Sequence, residues 1–291
     1  MRWRKVTLIG VGLLGGSLGL ALRKRGLAGE VCGYVRRESS IAECAQVGAV
    51  DLASTDLTAA VRNADLVVFC TPLAQMEELA RAIAPHLQKN ALITDVGSVK
   101  SALIHKLDPI FVKTSAHYIG SHPMAGSEKT GVLAARADLF LNAACVVTPT
   151  GTSTAEKIAE TESLWHAVGG RVMRMSPELH DEFVSRTSHL PHVLAAHLAA
   201  YILGDERLEQ AQLCATGFKD STRIASGSPE MWRDIALMNR ENLLMALDEF
   251  TAKLKEFRTV LDDPAKVEQF FHNAKSLRDA WAGRCASPSP E

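Results

Sequence analysis

The sequence predicts an α/β fold that gives way, past its middle, to an all-helical one. Over the first half, short runs rich in Val, Ile and Leu alternate with segments of helical period. That alternation builds a mostly parallel sheet with helices on both faces. The period changes near Ser176, and the chain beyond it reads almost entirely as helix. Between the first apolar run and the first helical stretch lies Gly10-Val11-Gly12-Leu13-Leu14-Gly15-Gly16-Ser17. A strand, a glycine turn and a helix start come in the order that a dinucleotide site requires. Gly10 permits the tight turn, Gly12 lets the backbone approach a pyrophosphate, and Gly15 lets the helix pack close to the sheet. The amides of the helix start, at Leu13 and Leu14, then face the phosphates. The reading is a Rossmann-type dinucleotide-binding domain followed by an all-helical domain; a chance glycine-rich turn is the alternative.

Strands are expected at residues 6–9, 31–34, 66–69, 91–94, 117–120 and 144–147, and helices at 13–24, 39–47, 75–86, 99–106 and 155–167. Residues 172–175 read as one last short strand. Ser176-Pro177-Glu178 is a helix start, with Ser as cap and Pro in the first turn. Further helical stretches are expected at 178–203, 208–226, 229–261 and 264–281, some of them broken. This divides the chain into a dinucleotide-binding domain, 1–172, and a helical dimerisation and substrate domain, 173–291. Long segments rich in Leu, Ala and Met need partners, so a homodimer through the helical domain is expected, with a self-contained bundle as the alternative. Residues 286–291 read as a frayed polar tail.

The bulk numbers exclude several classes. The chain has 291 residues, 47% hydrophobic content and a formal net charge of -1, an ordinary soluble composition. No basic excess points to nucleic acid. Charges interrupt every apolar run, so no membrane span is expected. The first strand begins almost at Met1, which leaves no room for a leader. Six cysteines, Cys32, Cys44, Cys70, Cys145, Cys214 and Cys285, show no CxxC spacing. Five read as small apolar fillers and Cys285 as part of the tail, which fits a reducing cytoplasm and argues against a metal site.

The end of the second strand bears on the cofactor. An Asp or Glu usually meets a free ribose diol there. Here Val35 stands in that place, followed by Arg36 and Arg37. Both arginines suit a 2′-phosphate, which favours NADP over NAD; alternatively they face solvent or stack above the adenine pocket. Thr71 and Pro72, after the strand at 66–69, are expected beside the nicotinamide ribose, and Asp95 and Gly97 in the next loop. Asp95 reads equally as a structural residue closing its loop through backbone amides.

Three clusters carry the chemistry. They are Asp95-Val96-Gly97-Ser98-Val99-Lys100, Ser121-His122-Pro123-Met124-Ala125-Gly126-Ser127-Glu128, and the helical pair Ser188-His189-Leu190-Pro191-His192 and Gly217-Phe218-Lys219-Asp220-Ser221-Thr222-Arg223. Together they resemble the prephenate/arogenate (cyclohexadienyl) dehydrogenase family of tyrosine biosynthesis. The resemblance runs from the glycine loop to about Trp232 and the helices beyond. It implies oxidation of a ring hydroxyl carbon at C4, with loss of the ring carboxylate as carbon dioxide and reduction of NAD or NADP.

The same resemblance distributes the roles. His122 matches the catalytic histidine, whose neutral imidazole takes the hydroxyl proton as hydride leaves. From the residues alone, His122 follows a strand at the carboxyl edge of the sheet, and a capping or structural histidine is the alternative. Ser98 matches the serine that bonds the reacting hydroxyl; it is also an ordinary helix cap. Arg223 matches the arginine that binds a substrate carboxylate by its guanidinium fork, against a plain surface charge. His189 matches a substrate-side histidine, with His192 a packed or surface neighbour. Lys219 and Asp220 can order the pocket through ion pairs. Glu128 can link the two domains across the cleft or stand as an exposed loop carboxylate. Trp232 can meet substrate across a dimer interface or serve as a core aromatic. Prephenate is the favoured substrate, with arogenate or dual use as alternatives. No stretch is long enough for a separate mutase or regulatory domain, so any inhibition by tyrosine is expected at the active site itself. A hydroxy-acid dehydrogenase with Lys219 as acid–base group, and a non-catalytic dinucleotide sensor, are the readings from other classes.

Overall fold

The structure, a computed structural model, describes residues 3–204 and 208–286. The expected tail at 286–291 lies largely outside these residues, as does the Cys285 side chain. One compact unit runs to Leu243 and a second begins at Leu244.

The α/β part of the first unit runs β1 (Trp3–Ile9), α1 (Leu13–Lys24), β2 (Ala28–Tyr34), α2 (Glu38–Val47), β3 (Leu52–Ser54), α3 (Leu57–Val61), β4 (Leu66–Phe69), α4 (Leu73–Ile83), β5 (Leu92–Asp95), α5 (Ser101–Phe111), β6 (His117–Tyr118), β7 (Gly120–Pro123), β8 (Ala144–Thr148), α6 (Ala155–Ala167) and β9 (Arg171–Arg174). Six strands form a parallel sheet in the order β3-β2-β1-β4-β5-β6. That order is the dinucleotide-binding one, and its direction reverses between β1 and β4. Side chains of β4 alternate between two cores. Leu66 and Val68 join one with Val6 and Leu8, while Val67 and Phe69 join the other with Ile9 and Ile93. Burial on both faces explains why these strands read as continuous apolar runs.

One expectation needs correction, and two short elements carried none. The edge strand β3 and the short helix α3 had no expectation, because three and five residues are too short to show a period. The strand expected at 117–120 is two strands: β6 ends the parallel sheet, and β7 pairs antiparallel with β8 in a second, three-stranded sheet β7-β8-β9. His122 therefore stands inside a strand of the second sheet rather than after a strand of the first. The last strand, β9, pairs parallel with β8 as far as Arg174.

The helical part begins as the Ser-Pro signal requires. Ser176 Oγ accepts from Leu179 N, and Pro177 opens α7 (Pro177–Val184). A π-helical turn, Ser185–His189, joins it to α8 (Leu190–Leu203). Then come α9 (Leu208–Gln212), α10 (Thr216–Thr222), α11 (Pro229–Met238) and α12 (Arg240–Arg258), within which the first unit ends. On α8, Leu198, Tyr201 and Leu203 are exposed although the helix is apolar almost all round. The second unit comprises the rest of α12 and α13 (Pro264–Ala286), held by Phe257 against Phe270 at 4.5 Å between ring centroids. No helix among the described residues is long and apolar enough to cross a membrane.

Candidate active site

The dinucleotide cradle forms where β1 and β4 end side by side. Ile9 and Phe69 are register partners, so the turn at Gly10 meets the loop at Cys70, Thr71 and Pro72. Gly10 has φ +96°, and a Cβ there would stand 2.8 Å from Thr71 Cγ2. Gly15 lies so close to the Gly10 carbonyl oxygen that no side chain would fit. Around Gly12, by contrast, a Cβ would meet nothing within 4 Å. α1 begins with Leu13 and Leu14, and no side chain caps it. Thr71 Oγ1 is buried without a hydrogen-bond partner among the described residues, while Pro72 is exposed at the start of α4. Open space over the middle glycine, an uncapped helix start and an unpaired hydroxyl fit a bound dinucleotide. Arg36 and Arg37 are exposed just past β2, and Val35 beside them is buried.

The next loop turns inward. Asp95 is fully buried. Its Oδ1 accepts from Gly97 N at 2.7 Å and from Lys100 Nζ, and its Oδ2 accepts from Tyr118 Oη at 2.8 Å and Ser121 N at 3.3 Å. With its oxygens committed inside the chain, the Asp95 carboxylate closes its own loop and ties it to β6 and β7. Gly97 packs against Leu73 for the same end. Lys100 is also fully buried and donates to the Ser121 carbonyl at 2.8 Å. Burial lowers its pKa, and Asp95 opposes the shift. The buried pair thus pins this loop to β7, one residue before His122.

Ser98 is half-buried and caps no helix, since α5 starts at Ser101. The amides of Lys100 and Ser101 are taken instead by Asp181 of α7, at 2.8 Å each. An anion at a helix start is favourable by charge and by hydrogen bonding. The Ser101 hydroxyl oxygen is buried and unpartnered among the described residues.

His122 is 7% exposed, and its Nδ1 lies 2.9 Å from His180 Nε2. Burial, then the neighbouring His180, Lys100 and His189, push its pKa well below the ordinary histidine value. The imidazole is therefore neutral near pH 7, the form that accepts a proton.

His189, in the π-helical turn, is buried as well. Asn239 Nδ2 donates to the Asp181 carbonyl at 2.8 Å and lies 3.1 Å from His189 Nδ1. Asn242 Nδ2 donates to Asn239 Oδ1 at 2.8 Å, which fixes the amide's orientation. His189 Nδ1 must then accept, and its Nε2 carries the proton. That Nε2 is buried without a partner among the described residues. Burial pushes the His189 pKa down to about 4. Together with His192 and Trp232 it lines a cavity of about 270 Å³ whose other walls include Val193, Ile224 and Ile235. His192 stacks on Trp232 at 3.8 Å between centroids, and Trp232 Nε1 has no hydrogen-bond partner among the described residues.

The remaining expected residues form an exposed rim. Arg223 ends α10 and places Nη1 3.4 Å from Glu128 Oε2, joining the loop after β7 to the helical part. Both side chains are largely exposed, at 62% and 42%. Lys219 and Asp220 are exposed on α10, and among the described residues no ion pair involves either. Reading the sequence alone missed His180, Asp181, Asn239 and Ser101. For the first two, the available signal was an acid beside a histidine on the first turns of a helix.

Residues 18–174 match the family model described as prephenate dehydrogenase, nucleotide-binding domain. Residues 176–276 match its companion, the prephenate dehydrogenase dimerization domain. The chain belongs to the prephenate dehydrogenase family. It is thus an NAD(P)-dependent oxidoreductase of aromatic amino acid biosynthesis with a dinucleotide-binding domain. A prephenate dehydrogenase of Bacillus subtilis is 34% identical over 94% of this chain and 75% of that protein. A cyclohexadienyl dehydrogenase of Zymomonas mobilis is 36% identical over 94% and 95%. Among solved structures, prephenate dehydrogenase from A. aeolicus in complex with hydroxyphenyl propionate and NAD+ superposes with a TM-score of 0.88, at 32% identity over 96% of this chain and 99% of that one. The family likeness agrees with the expected dimer through the helical domain.

Proposed function

We propose that this family member catalyses the oxidative decarboxylation of prephenate to 4-hydroxyphenylpyruvate, with NADP as the favoured acceptor. The observation that carries the substrate choice is the buried His189 Nε2–H, which makes no hydrogen bond of good geometry among the described residues. It is a donor, so it suits the keto and carboxylate oxygens of the prephenate side chain and has nothing to offer an ammonium group. Arg223 at the rim supplies a cationic fork for a carboxylate, and Lys219 adds charge to the approach. Val35 with Arg36 and Arg37 supports a 2′-phosphate at the end of β2. A dinucleotide held at its pyrophosphate by the Gly10–Gly15 turn would supply the hydride acceptor for the C4 carbon of the substrate ring.

The chain's own contribution is proton handling and placement. His122 takes the C4 hydroxyl proton on its ring, and Ser98 or the unpartnered Ser101 hydroxyl holds that oxygen. As the C4 carbon gives up hydride, the ring carboxylate leaves as carbon dioxide and the ring becomes aromatic. A dianionic substrate raises the depressed pKa of His122 by its charge, strengthening the base only when substrate is bound. The proposal includes a division near residue 172 into a dinucleotide domain and a helical substrate and dimerisation domain. The five described cysteines are free thiols, which supports a reducing, cytoplasmic setting.

The test is steady-state reduction of NADP and NAD, each with prephenate and with arogenate. The proposal expects the highest kcat/KM with prephenate and NADP. A preference for arogenate would overturn the substrate, and a preference for NAD the cofactor.

A further inference from the structure

Two residues that no expectation assigned stand in line behind His122. Asp181 Oδ1 lies 2.8 Å from His180 Nδ1, and His180 Nε2 lies 2.9 Å from His122 Nδ1. All three side chains are buried, at 2%, 0% and 7% exposure. We infer that Asp181 and His180 are positioning residues that hold His122 in its Nδ1–H tautomer, leaving the Nε2 lone pair as the base. The inference deepens the proposed function and rests on its assignment of His122 as proton acceptor.

Hydrogen-bond accounting gives the direction of each proton. The Asp181 carboxylate accepts from Lys100 N, Ser101 N and the His180 ring. Burial alone would raise its pKa, but the His180 ring and the two amides outweigh burial and hold it below the ordinary carboxylate range. It is therefore ionised and can only accept. His180 must donate through Nδ1. Burial keeps His180 neutral by lowering its pKa, against the pull of Asp181. Its Nε2 then carries a lone pair and must accept from His122 Nδ1–H. Reversing the chain would require a doubly protonated His180 beside the buried Lys100 ammonium. The carboxylate is itself immobile, since Asn239 grips the Asp181 carbonyl while two amides grip its side chain.

The balance of the step is simple. The substrate hydroxyl proton goes to His122 Nε2, and the hydride goes to the nicotinamide. His122 becomes an imidazolium whose Nδ1–H now makes a charge-assisted bond to His180. As carbon dioxide leaves, the electron pair of its bond to the ring makes the ring aromatic, and the phenolate oxygen takes the proton back from His122 Nε2–H, which restores the neutral base; no proton passes on to His180. The logic is that of a base held by an orienting acid, with a second imidazole interposed. The network also gives His122 and His189 opposite tautomers: one presents a lone pair and the other an N–H.

The experiment uses the full chain with NADP bound and ¹⁵N-labelled histidine, read by long-range ¹H–¹⁵N NMR. His122→Asn assigns the His122 ring signals. Wild type is expected to show His122 protonated at Nδ1 and bare at Nε2. In His180→Leu the His122 proton moves to Nε2, and kcat for prephenate falls by about 10²–10⁴-fold while KM values stay within about three-fold. In His180→Gln the amide oxygen still accepts from His122 Nδ1–H, so the tautomer is kept and kcat recovers to within about ten-fold of wild type. The acid limb of the kcat profile is read in all three, because His122, Asp181, Lys100 and Asp95 are the ionisable groups facing His180. A purely structural role for His180 would change none of the tautomers. Wild-type His122 protonated at Nε2, or a His180→Leu enzyme with unchanged tautomer and kcat, would overturn the inference. If His180→Leu does not fold, the wild-type tautomer and His180→Gln still decide. The tautomer is read without turnover, so a wild type inert towards both ring acids would overturn the proposed function and leave this assignment standing.

Discussion

The buried interior and the exposed rim of the site are built on opposite plans. Inside, His122, His180, Asp181, Lys100 and Asp95 are almost inaccessible and bonded to one another or to backbone. At the rim, Arg223, Glu128, Lys219, Arg36 and Arg37 are exposed, and only one loose ion pair joins any of these five to another. On the proposed function, the interior is already assembled, whereas the rim awaits what binds. Preorganised groups act on the reaction step, where any reorganisation would add to the barrier. Groups still in water supply capture and selectivity, where their charge is felt before contact. Substitutions inside should therefore cost folding or kcat, and those at the rim should cost KM.

The largest effect on folding is expected at Lys100→Met. It leaves the buried Asp95 carboxylate without its cation, and unpairing a buried charge costs about 3–5 kcal/mol. Urea unfolding of the variant should show a matching fall in stability. A change under about 1 kcal/mol would mean that the interior is not pinned by this pair. Next comes the double variant Arg36→Ala with Arg37→Ala, expected to weaken NADP binding by about 10–100-fold through lost charge-assisted bonds while leaving NAD binding within about two-fold. Titration of each cofactor measures this, and equal losses for both would remove the arginines from the 2′-phosphate role. The smallest effect is expected at Glu128→Gln. The Arg223–Glu128 pair is long and largely exposed, and such pairs contribute at most about 1 kcal/mol. Thermal unfolding should barely move; a loss of several degrees would show that the rim is structural after all.

Legibility in the sequence obeys the same divide between local and long-range causes. Helices α1 and α6 fall on their expected bounds because their start signals are local, a glycine turn in one and the Thr154 cap in the other. The glycine turn was legible for the same reason: its spacing carries its own geometry. His122 and Arg223 were singled out through motif resemblance, and Glu128 through its place in the loop after His122. The His180–Asp181 pair was not, because its meaning depends on α7 reaching the start of α5, some eighty residues earlier in the chain. Asn239 joins Asp181 and His189 across fifty residues and more, which no local pattern records. Asp95 stood between two readings until the position of Lys100 was known. The split of the strand expected at 117–120 was hidden too, since only pairing with β8 separates the two halves.

The central claim is that the interior performs the chemistry and the rim performs the binding. A single-turnover measurement of NADPH formation tests it most directly, with wild type, His122→Asn and Arg223→Ala each saturated with prephenate. His122→Asn is expected to lose the chemical step by about 10²–10⁴-fold. Arg223→Ala should need about 10–100-fold more prephenate, yet reach a rate close to wild type once saturated. Equal losses of the saturated rate in both variants, or a His122→Asn enzyme that turns over at the wild-type rate, would contradict the account.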